Sequence, residues 1–232
     1  MDFLHKPRLI VFDLDHTLFD FFIDEIDPEW AFDKSRTVEE LSTRWPLYPE
    51  INQVFQAIKS LNIPIAIASM AKQIQWGEKL VEKFGLKNFI ELGDDVIVVG
   101  RKDGYKYNHF DQIMKAYNEK YAQISEKENN NKPFEPIKHN EIVFFDDYDH
   151  NHKCLGKLGV HGFLCNARGV TMENFRWMME KYDHSVTNNV NYPYNIVWEE
   201  FLGEKMEGEA SQNKFDKKCI FKDPPKAILD LC

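Results

Sequence analysis

The chain contains 232 residues, 43% of them hydrophobic, and carries a formal net charge of −9. This length fits a single domain with additions or two small domains. The acidic balance argues against non-specific binding of nucleic acids, which depends on Lys and Arg side chains neutralising phosphates. No run approaches the roughly 18–20 apolar residues of a membrane span, so we expect no membrane partner. The four cysteines are dispersed, which favours free thiols and a cytoplasmic location, with the nucleus as the alternative.

The first apolar run of the chain, residues 9–12, leads directly into two aspartates, Asp13 and Asp15. Its β-branched and aromatic composition predicts a strand that is buried on both faces, as in parallel sheets. In open α/β sheets the chemistry lies at the carboxyl ends of the strands. Two carboxylates so close together need a cation, a shared proton or water between them. A magnesium ion and a phosphate ester would meet this need together, whereas a simple strand cap and turn is the alternative for the pair taken alone.

Three more polar groups follow predicted strands or begin a predicted helix. Ser69 ends the apolar run 63–68, and the last apolar run of this kind ends on Asp146 and Asp147. Lys106 lies near the start of a helical pattern. The order of these groups along the chain is therefore two aspartates, a serine, a lysine and a pair of aspartates.

These groups have complementary chemistry toward a phosphate ester. Asp13 would attack phosphorus and Asp15 would protonate the leaving oxygen. The hydroxyl of Ser69 and the ammonium group of Lys106 would hold phosphoryl oxygens. The last carboxylates would complete a site for Mg²⁺, a hard cation that prefers oxygen ligands.

Hydrophobic periodicity predicts the remaining elements of a wound, mainly parallel sheet. In chain order they are a helix from Pro49 to Leu61, a strand over 63–68, a helix over 74–84, a strand pair at 89–92 and 96–99, a helix from Lys106 to Tyr121, a strand over 141–145, a short helix over 149–158, a strand over 162–165 and a last helix from Thr171 to Tyr182. The polar, proline-containing stretch at 123–139 predicts a loop insertion, and residues 185–232 predict a partly disordered C-terminal extension.

The ordered set of groups resembles the four motifs of the haloacid dehalogenase superfamily, with Asp13, Asp15 and Thr17 forming its D-x-D-x-T motif. The sequence is more similar still to the magnesium-dependent phosphatase family. That resemblance covers roughly residues 7–180 and lies in FDLDHTL (12–18), LYPE (47–50), IAS (67–69), K-x-x-H-F (106–110), FFDD (144–147) and KLGV (157–160).

The resemblance implies a Rossmann-like α/β fold, with helices on both faces of a central parallel sheet, in a domain that spans residues 1–184. A single helical turn and a small β-hairpin flap would follow the first strand, at about 19–46, with no room for a large cap domain. Members of the family act through an aspartyl phosphate with Mg²⁺, on protein phosphotyrosine or phosphorylated sugar adducts.

We therefore expect a monomeric, magnesium-dependent phosphomonoester hydrolase whose partner is a phosphorylated small molecule or a phosphoprotein. One alternative is a phosphotransferase, although such enzymes of the superfamily use a cap to exclude water. The other is a phosphate-binding or scaffold protein that has kept the fold and has weak activity.

By the same resemblance, the magnesium ligands would be Asp13, the main-chain carbonyl of Asp15, and Asp147. Asp146 would act through water or anchor a neighbour, since adjacent side chains on an extended strand diverge. The amide of Leu14, together with that of Asp15, would bind the phosphate.

Two more residues bear on the substrate. One of the aromatic rings that follow the first strand, Phe22, would line the mouth of the site. Met70 takes the position beside the phosphate where the related phosphatases usually carry arginine, and its side chain cannot donate the same hydrogen bonds.

Overall fold

In the computed structural model, five parallel strands form one sheet in the order β3-β2-β1-β4-β5. The strands are β1 (Leu9–Phe12), β2 (Ile65–Ser69), β3 (Ile97–Val99), β4 (Ile142–Asp146) and β5 (His161–Leu164). The structure describes residues 3–90, 97–100, 106–127 and 134–189. Every residue of β1, β2 and β4 is buried, as their continuous apolar composition predicted.

Helices cover both faces of this sheet. They are α1 (Pro28–Ala31), α2 (Val38–Arg44), α3 (Ile51–Ser60), α4 (Ile74–Lys83), α5 (Tyr107–Lys127), α6 (Asp149–Lys157) and α7 (Met172–Asn188). On one face, the Phe55 ring of α3 packs 5.2 Å from the ring of Phe12, which stacks on Phe145. On the other face, the Phe110 ring of α5 lies edge-on to Phe144 at 5.1 Å. The predicted α/β fold with a parallel sheet is confirmed.

The strand register brings the site residues to one edge. Phe12 of β1 pairs with Ile67 of β2 and with Phe145 of β4, so the residues that follow emerge side by side. The amide of Asp13 donates to the carbonyl of Phe145 at 2.9 Å, which extends the ladder by one residue. The carboxyl ends of the three central strands therefore meet where the polar groups begin.

The segment 19–46, called the flap below, was predicted to be a β-hairpin, and this prediction is wrong. It contains a 3₁₀ turn over Ile23–Glu25 followed by α1 and α2. Local capping explains the helices. The Asp27 side chain accepts the amide of Trp30 at the start of α1, and Thr37 and Glu40 form a reciprocal capping box at the start of α2. The single helical turn after β1 is present, because the carbonyl of Leu14 accepts the amides of the turn that follows it.

Three other boundaries differ from the prediction. Phe89, the first residue of the predicted strand at 89–92, is instead the last residue of a 3₁₀ turn over Leu86–Phe89. Its ring packs edge-on against Phe55. Residues 91–96 lie outside the described residues. α5 continues to Lys127, inside the predicted insertion at 123–139, because these residues are good helix formers. α7 continues past Tyr182 to Asn188, whereas residues 190–232, which contain most of the predicted extension, lie outside the described residues. None of the described helices is both long and apolar enough to cross a membrane.

Candidate active site

The side chain of Asp13, at the end of β1, is almost completely buried, with 6% of its surface exposed. Its Oδ1 lies 2.7 Å from the Nζ of Lys106. Burial raises the pKa of the Asp13 carboxyl well above its usual range, and the Asp146 and Asp147 carboxylates add to this effect. The nearby ammonium group of Lys106 opposes it. The ionised form of this carboxylate is therefore stabilised by the neighbouring positive charge.

Lys106 supplies that charge from the residue before α5. Its ammonium group is buried and bonds both Asp13 and Asp146. Burial alone would lower the pKa of Lys106, but the two carboxylates more than compensate and raise it above its ordinary value. The predicted phosphate-binding lysine is thus the counterion of two buried carboxylates that lie on neighbouring strands.

Asp146, the last residue of β4, is fully buried, and both of its carboxylate oxygens accept hydrogen bonds. Oδ1 accepts the amide of Tyr148 at 2.6 Å, and the side-chain amide of Asn151 donates to Oδ1 at 3.1 Å and to Oδ2 at 3.0 Å. The Nε2 of His152 lies 3.0 Å from the Asp146 carbonyl oxygen. The supporting roles of Asn151 and His152 were not predicted, since no residue pattern marks a helical side chain that folds back onto the strand before it.

Asp13, Asp146 and Asp147 each place a carboxylate oxygen within 4.8 Å of the other two. A set of carboxylate oxygens at this spacing fits Mg²⁺, which binds oxygen ligands. Asp147 is less buried than its two partners. Burial, followed by the Asp146 charge, raises its pKa to about 7. The carboxylate of Asp15 is not part of this group of three.

Asp15 belongs instead to the junction with the flap. Its Oδ1 accepts the amide of Ile23 at 2.8 Å. Burial raises the pKa of Asp15 to about 6, although the Ile23 amide favours the ionised form and works in the opposite direction. His16, the next residue, has a φ of 50°, a left-handed conformation that a residue with a β-carbon rarely adopts. This backbone turns the chain sharply after Asp15 into the single helical turn.

The other predicted site residues lie around this cluster. Ser69 is fully buried at the end of β2, and its Oγ accepts the amide of Ala71 at 3.2 Å. The Met70 side chain is half-buried, next to Ser69. The Phe22 side chain is 47% exposed, and the His16 ring lies 4.3 Å from it in an edge-on arrangement. The Leu14 side chain belongs to the core, so only its backbone is available to a ligand.

Asp147→Asn is expected to stabilise the metal-free protein increasingly as the pH rises. A carboxyl group with a raised folded-state pKa binds its proton more tightly in the folded protein, so its ionisation costs stability between pH about 4 and about 7. Above pH 7 the Asn variant, which has no such ionisation, should melt at least about 3 °C higher than the wild type in EDTA. At pH 4 the difference should vanish.

Thermal melts at several pH values provide the measurement. The comparison with the variant is necessary because His152 and His161, whose pKa values burial lowers, make stability rise with pH in the same range. Saturating magnesium should remove or reverse the advantage of the variant above pH 7. A variant that is less stable than the wild type at pH 8 in EDTA would contradict the prediction.

The sequence is similar to those of known phosphatases. A family model described as Acid Phosphatase matches residues 5–185. Magnesium-dependent phosphatase 1 of Homo sapiens is 30% identical over 158 residues, which cover 66% of this chain and 75% of that protein. Two solved structures are more distant. A HAD-superfamily hydrolase from Ehrlichia chaffeensis is 13% identical with a TM-score of 0.48, covering 79% of this chain and 99% of the other. A haloacid dehalogenase-like hydrolase from Streptococcus pneumoniae is 11% identical with a TM-score of 0.43, covering 76% and 90%.

The family match includes the strand ends that carry Asp13, Ser69 and Asp146, and also Lys106. The relationship to magnesium-dependent phosphatases that the motifs predicted is confirmed. The chain is therefore a phosphatase that belongs to the acid phosphatase family.

Proposed function

We propose that the protein is a magnesium-dependent phosphomonoester hydrolase that works through an aspartyl phosphate on Asp13. One observation carries the proposal: the buried Asp13 carboxylate lies beside Lys106 and within the same oxygen cluster as Asp146 and Asp147. A carboxylate held in this way can act as a nucleophile and divide a difficult hydrolysis into two easier steps.

In the first step an Oδ atom of Asp13 forms a bond to phosphorus as the bond between phosphorus and the ester oxygen breaks. The departing oxygen takes the proton of Asp15. The raised pKa of Asp15, about 6, keeps a larger fraction of this group protonated near neutral pH than in an ordinary aspartate. Lys106 remains beside the reacting carboxylate and offsets negative charge as the phosphoryl group arrives.

In the second step water attacks the phosphorus of the phosphorylated Asp13. Asp15, now ionised, accepts a proton from this water while the bond between phosphorus and the Asp13 oxygen breaks. The products are inorganic phosphate and the free Asp13 carboxylate, and Asp15 carries a proton again. The same residue thus acts as acid and then as base.

Asp13 and Asp147 would hold the metal directly, with the main-chain carbonyl of Asp15. Asp146 orients the cluster, since both of its oxygens already accept hydrogen bonds from Asn151 and one of them is bound by Lys106. When bound, Mg²⁺ supplies positive charge that keeps the carboxylates ionised and offsets charge on the phosphoryl oxygens.

For the substrate we propose an aryl phosphate, such as the phosphotyrosine of a protein, rather than a phosphorylated sugar adduct. The exposed ring of Phe22 precedes Ile23, whose amide binds Asp15, so an apolar surface lies next to the group that protonates the leaving oxygen. The edge-on contact with His16 holds that ring in place. Met70, where related phosphatases usually carry arginine, makes this side of the site less favourable for an additional anionic group.

Hydrolysis of para-nitrophenyl phosphate with magnesium and with EDTA tests the reaction. The wild type should release nitrophenol only with magnesium. Asp15→Asn should reduce kcat by about 10²–10⁴-fold, because Asn can neither give a proton to the leaving oxygen nor take one from water. Because Asp13 remains intact, acid quenching and mass spectrometry should find a phosphoryl group on the variant. Full turnover by Asp15→Asn would contradict its proposed role.

Phe22→Ala tests the substrate class. We expect kcat/KM for a phosphotyrosine peptide to fall by about tenfold, since stacking and burial at an aromatic side chain contribute about 1–2 kcal/mol. Activity toward a phosphorylated sugar should change by less than about twofold. Val38→Ala, which removes another exposed apolar side chain of the flap, is the matched control. If the wild type prefers the phosphorylated sugar, the proposed aryl substrate is wrong while the reaction class stands.

A further inference from the structure

Two adjacent residues of the 3₁₀ turn Ile23–Glu25 form hydrogen bonds with two different segments of the protein. The Ile23 amide donates to Oδ1 of Asp15 at 2.8 Å. The next residue, Asp24, accepts the amide of Lys72 at 2.9 Å on Oδ1 and 3.2 Å on Oδ2, and the amide of Gln73 at 3.1 Å on Oδ1. We call these bonds from Asp24 to the two amides the Asp24 latch.

The latch supplies hydrogen-bond acceptors at the start of α4. The first amides of a helix have no acceptor within the helix, and the Gln73 side chain, at the N-cap position, makes no capping hydrogen bond. The Asp24 carboxylate, 48–49 residues away in the sequence, accepts the amide of Gln73 itself and that of Lys72, the two residues that precede the first helical residue, Ile74. Charge-assisted bonds and the positive end of the helix dipole both favour a carboxylate there. Although Asp24 is exposed, its geometry is therefore well determined.

The latch connects the two sides of the proposed site. Lys72 and Gln73 lie three and four residues after Ser69, the last residue of β2. On the flap side, the fully buried Ile23 side chain holds the turn against the core while the Ile23 amide binds Asp15. Removing the latch would take away the polar anchor between this turn and the start of α4, and the amide that orients Asp15 would gain freedom.

The outer part of the flap has a separate anchor. The Nζ of Lys83 donates to the carbonyls of Ala31 at 2.9 Å and Asp33 at 3.3 Å. Because this anchor acts at the end of α1 and just after it, it can keep the flap folded without fixing the 3₁₀ turn. Loss of the latch should therefore change the position of Asp15 rather than unfold the segment.

We propose that Asp24 is a positioning residue that holds Asp15 in place for proton transfer, by fastening the flap to the start of α4. This proposal rests on the proposed function only in assigning Asp15 the role of general acid. The contact between Asp24 and the two amides does not depend on that role.

The test compares Asp24→Ala with Glu25→Ala, which removes the neighbouring exposed carboxylate of the same turn. A poor leaving group depends on the proton of Asp15 more than a good one does. We expect Asp24→Ala to lower kcat/KM by about tenfold for phenyl phosphate and by less than about threefold for para-nitrophenyl phosphate. Asp24→Asn, which keeps one acceptor oxygen, should recover part of the loss. Equal losses on both esters, or the same loss in Glu25→Ala, would overturn the proposal.

Amide hydrogen exchange provides a readout that does not require activity. In Asp24→Ala the amides of Ile23, Lys72 and Gln73 should exchange faster than in the wild type and in Glu25→Ala, while amides of β1 and β4 stay unchanged. Unchanged exchange at Ile23 would overturn the latch even if the wild type hydrolysed neither ester. A wild type that is inactive on both esters, with faster exchange in the variant, would instead contradict the proposed function and retain the latch.

Discussion

Asp13→Asn is expected to abolish magnesium-dependent hydrolysis of para-nitrophenyl phosphate, with kcat falling by at least about 10⁴-fold. The neutral amide is a far weaker nucleophile than a carboxylate and cannot form the acyl phosphate. Acid quenching should find no phosphoryl group on the variant, in contrast to Asp15→Asn. Residual turnover within about tenfold of the wild type would show that another group attacks phosphorus, and the proposed mechanism would be wrong.

The inactive variant should nevertheless be at least as stable as the wild type in EDTA at pH 7. Burial makes the ionised Asp13 costly, and Lys106 keeps Asp146 as its partner when Asp13 becomes neutral. Thermal melts therefore separate a catalytic loss from an unfolded protein. Asp111→Asn removes an exposed carboxylate from α5 and controls for the change in net charge. It should leave both kcat and the melting temperature unchanged.

Lys106→Met should have the largest effect on stability, a loss of about 3–5 kcal/mol in the free energy of unfolding at pH 7 without magnesium. Methionine has a similar length but leaves Asp13 and Asp146 buried with no cation between them. Activity should fall as well, because the charge beside the nucleophile is lost. Urea unfolding monitored by circular dichroism gives the free energy, and para-nitrophenyl phosphate gives the rate.

The loss of stability in Lys106→Met should depend on the pH and on magnesium. Without the ammonium group, the pKa of Asp13 rises further above the unfolded value of about 3.9, so the cost is present at neutral pH and disappears as the pH falls toward 4. Saturating magnesium should recover part of the stability by supplying another cation. Lys115→Met, in α5, removes an exposed pair with Glu119 and should cost less than about 0.5 kcal/mol. A Lys106 variant as stable as this control would contradict the buried-counterion role.

The amino-acid sequence contained enough information to predict the sheet and the edge at which the site forms. Continuous apolar runs such as that of β1 are typical of parallel strands buried on both faces, and residues that follow such strands meet at one edge. The placement of Asp13 beside Asp146 follows from that rule and from the observed pairing of Phe12 with Phe145. Hydrophobic periodicity likewise predicted that a helix begins near Lys106.

For the flap, the family resemblance led to a wrong prediction. The family pattern suggested a β-hairpin over 19–46, yet local signals for helices were present in the sequence. Thr37 followed three residues later by Glu40 is a capping-box pattern, and Asp27 followed by Pro28 is a typical helix start. Local capping energies of about 1 kcal/mol each favour these helices. Buried side chains of the flap, such as Ile23, Ala31 and Leu41, then join the core.

The sequence by itself thus determined the fold class, the edge of the sheet at which the polar groups meet, and the residue types that gather there. Only the tertiary structure decided how those residues pair. Lys106 bridges Asp13 and Asp146, Asn151 occupies both oxygens of Asp146, and Asp24 fastens the flap to α4. Such pairings join segments far apart in the chain. They depend on strand register, helix packing and the path of the loops, and hydrophobic periodicity along one segment carries no information about the orientation of a side chain in another.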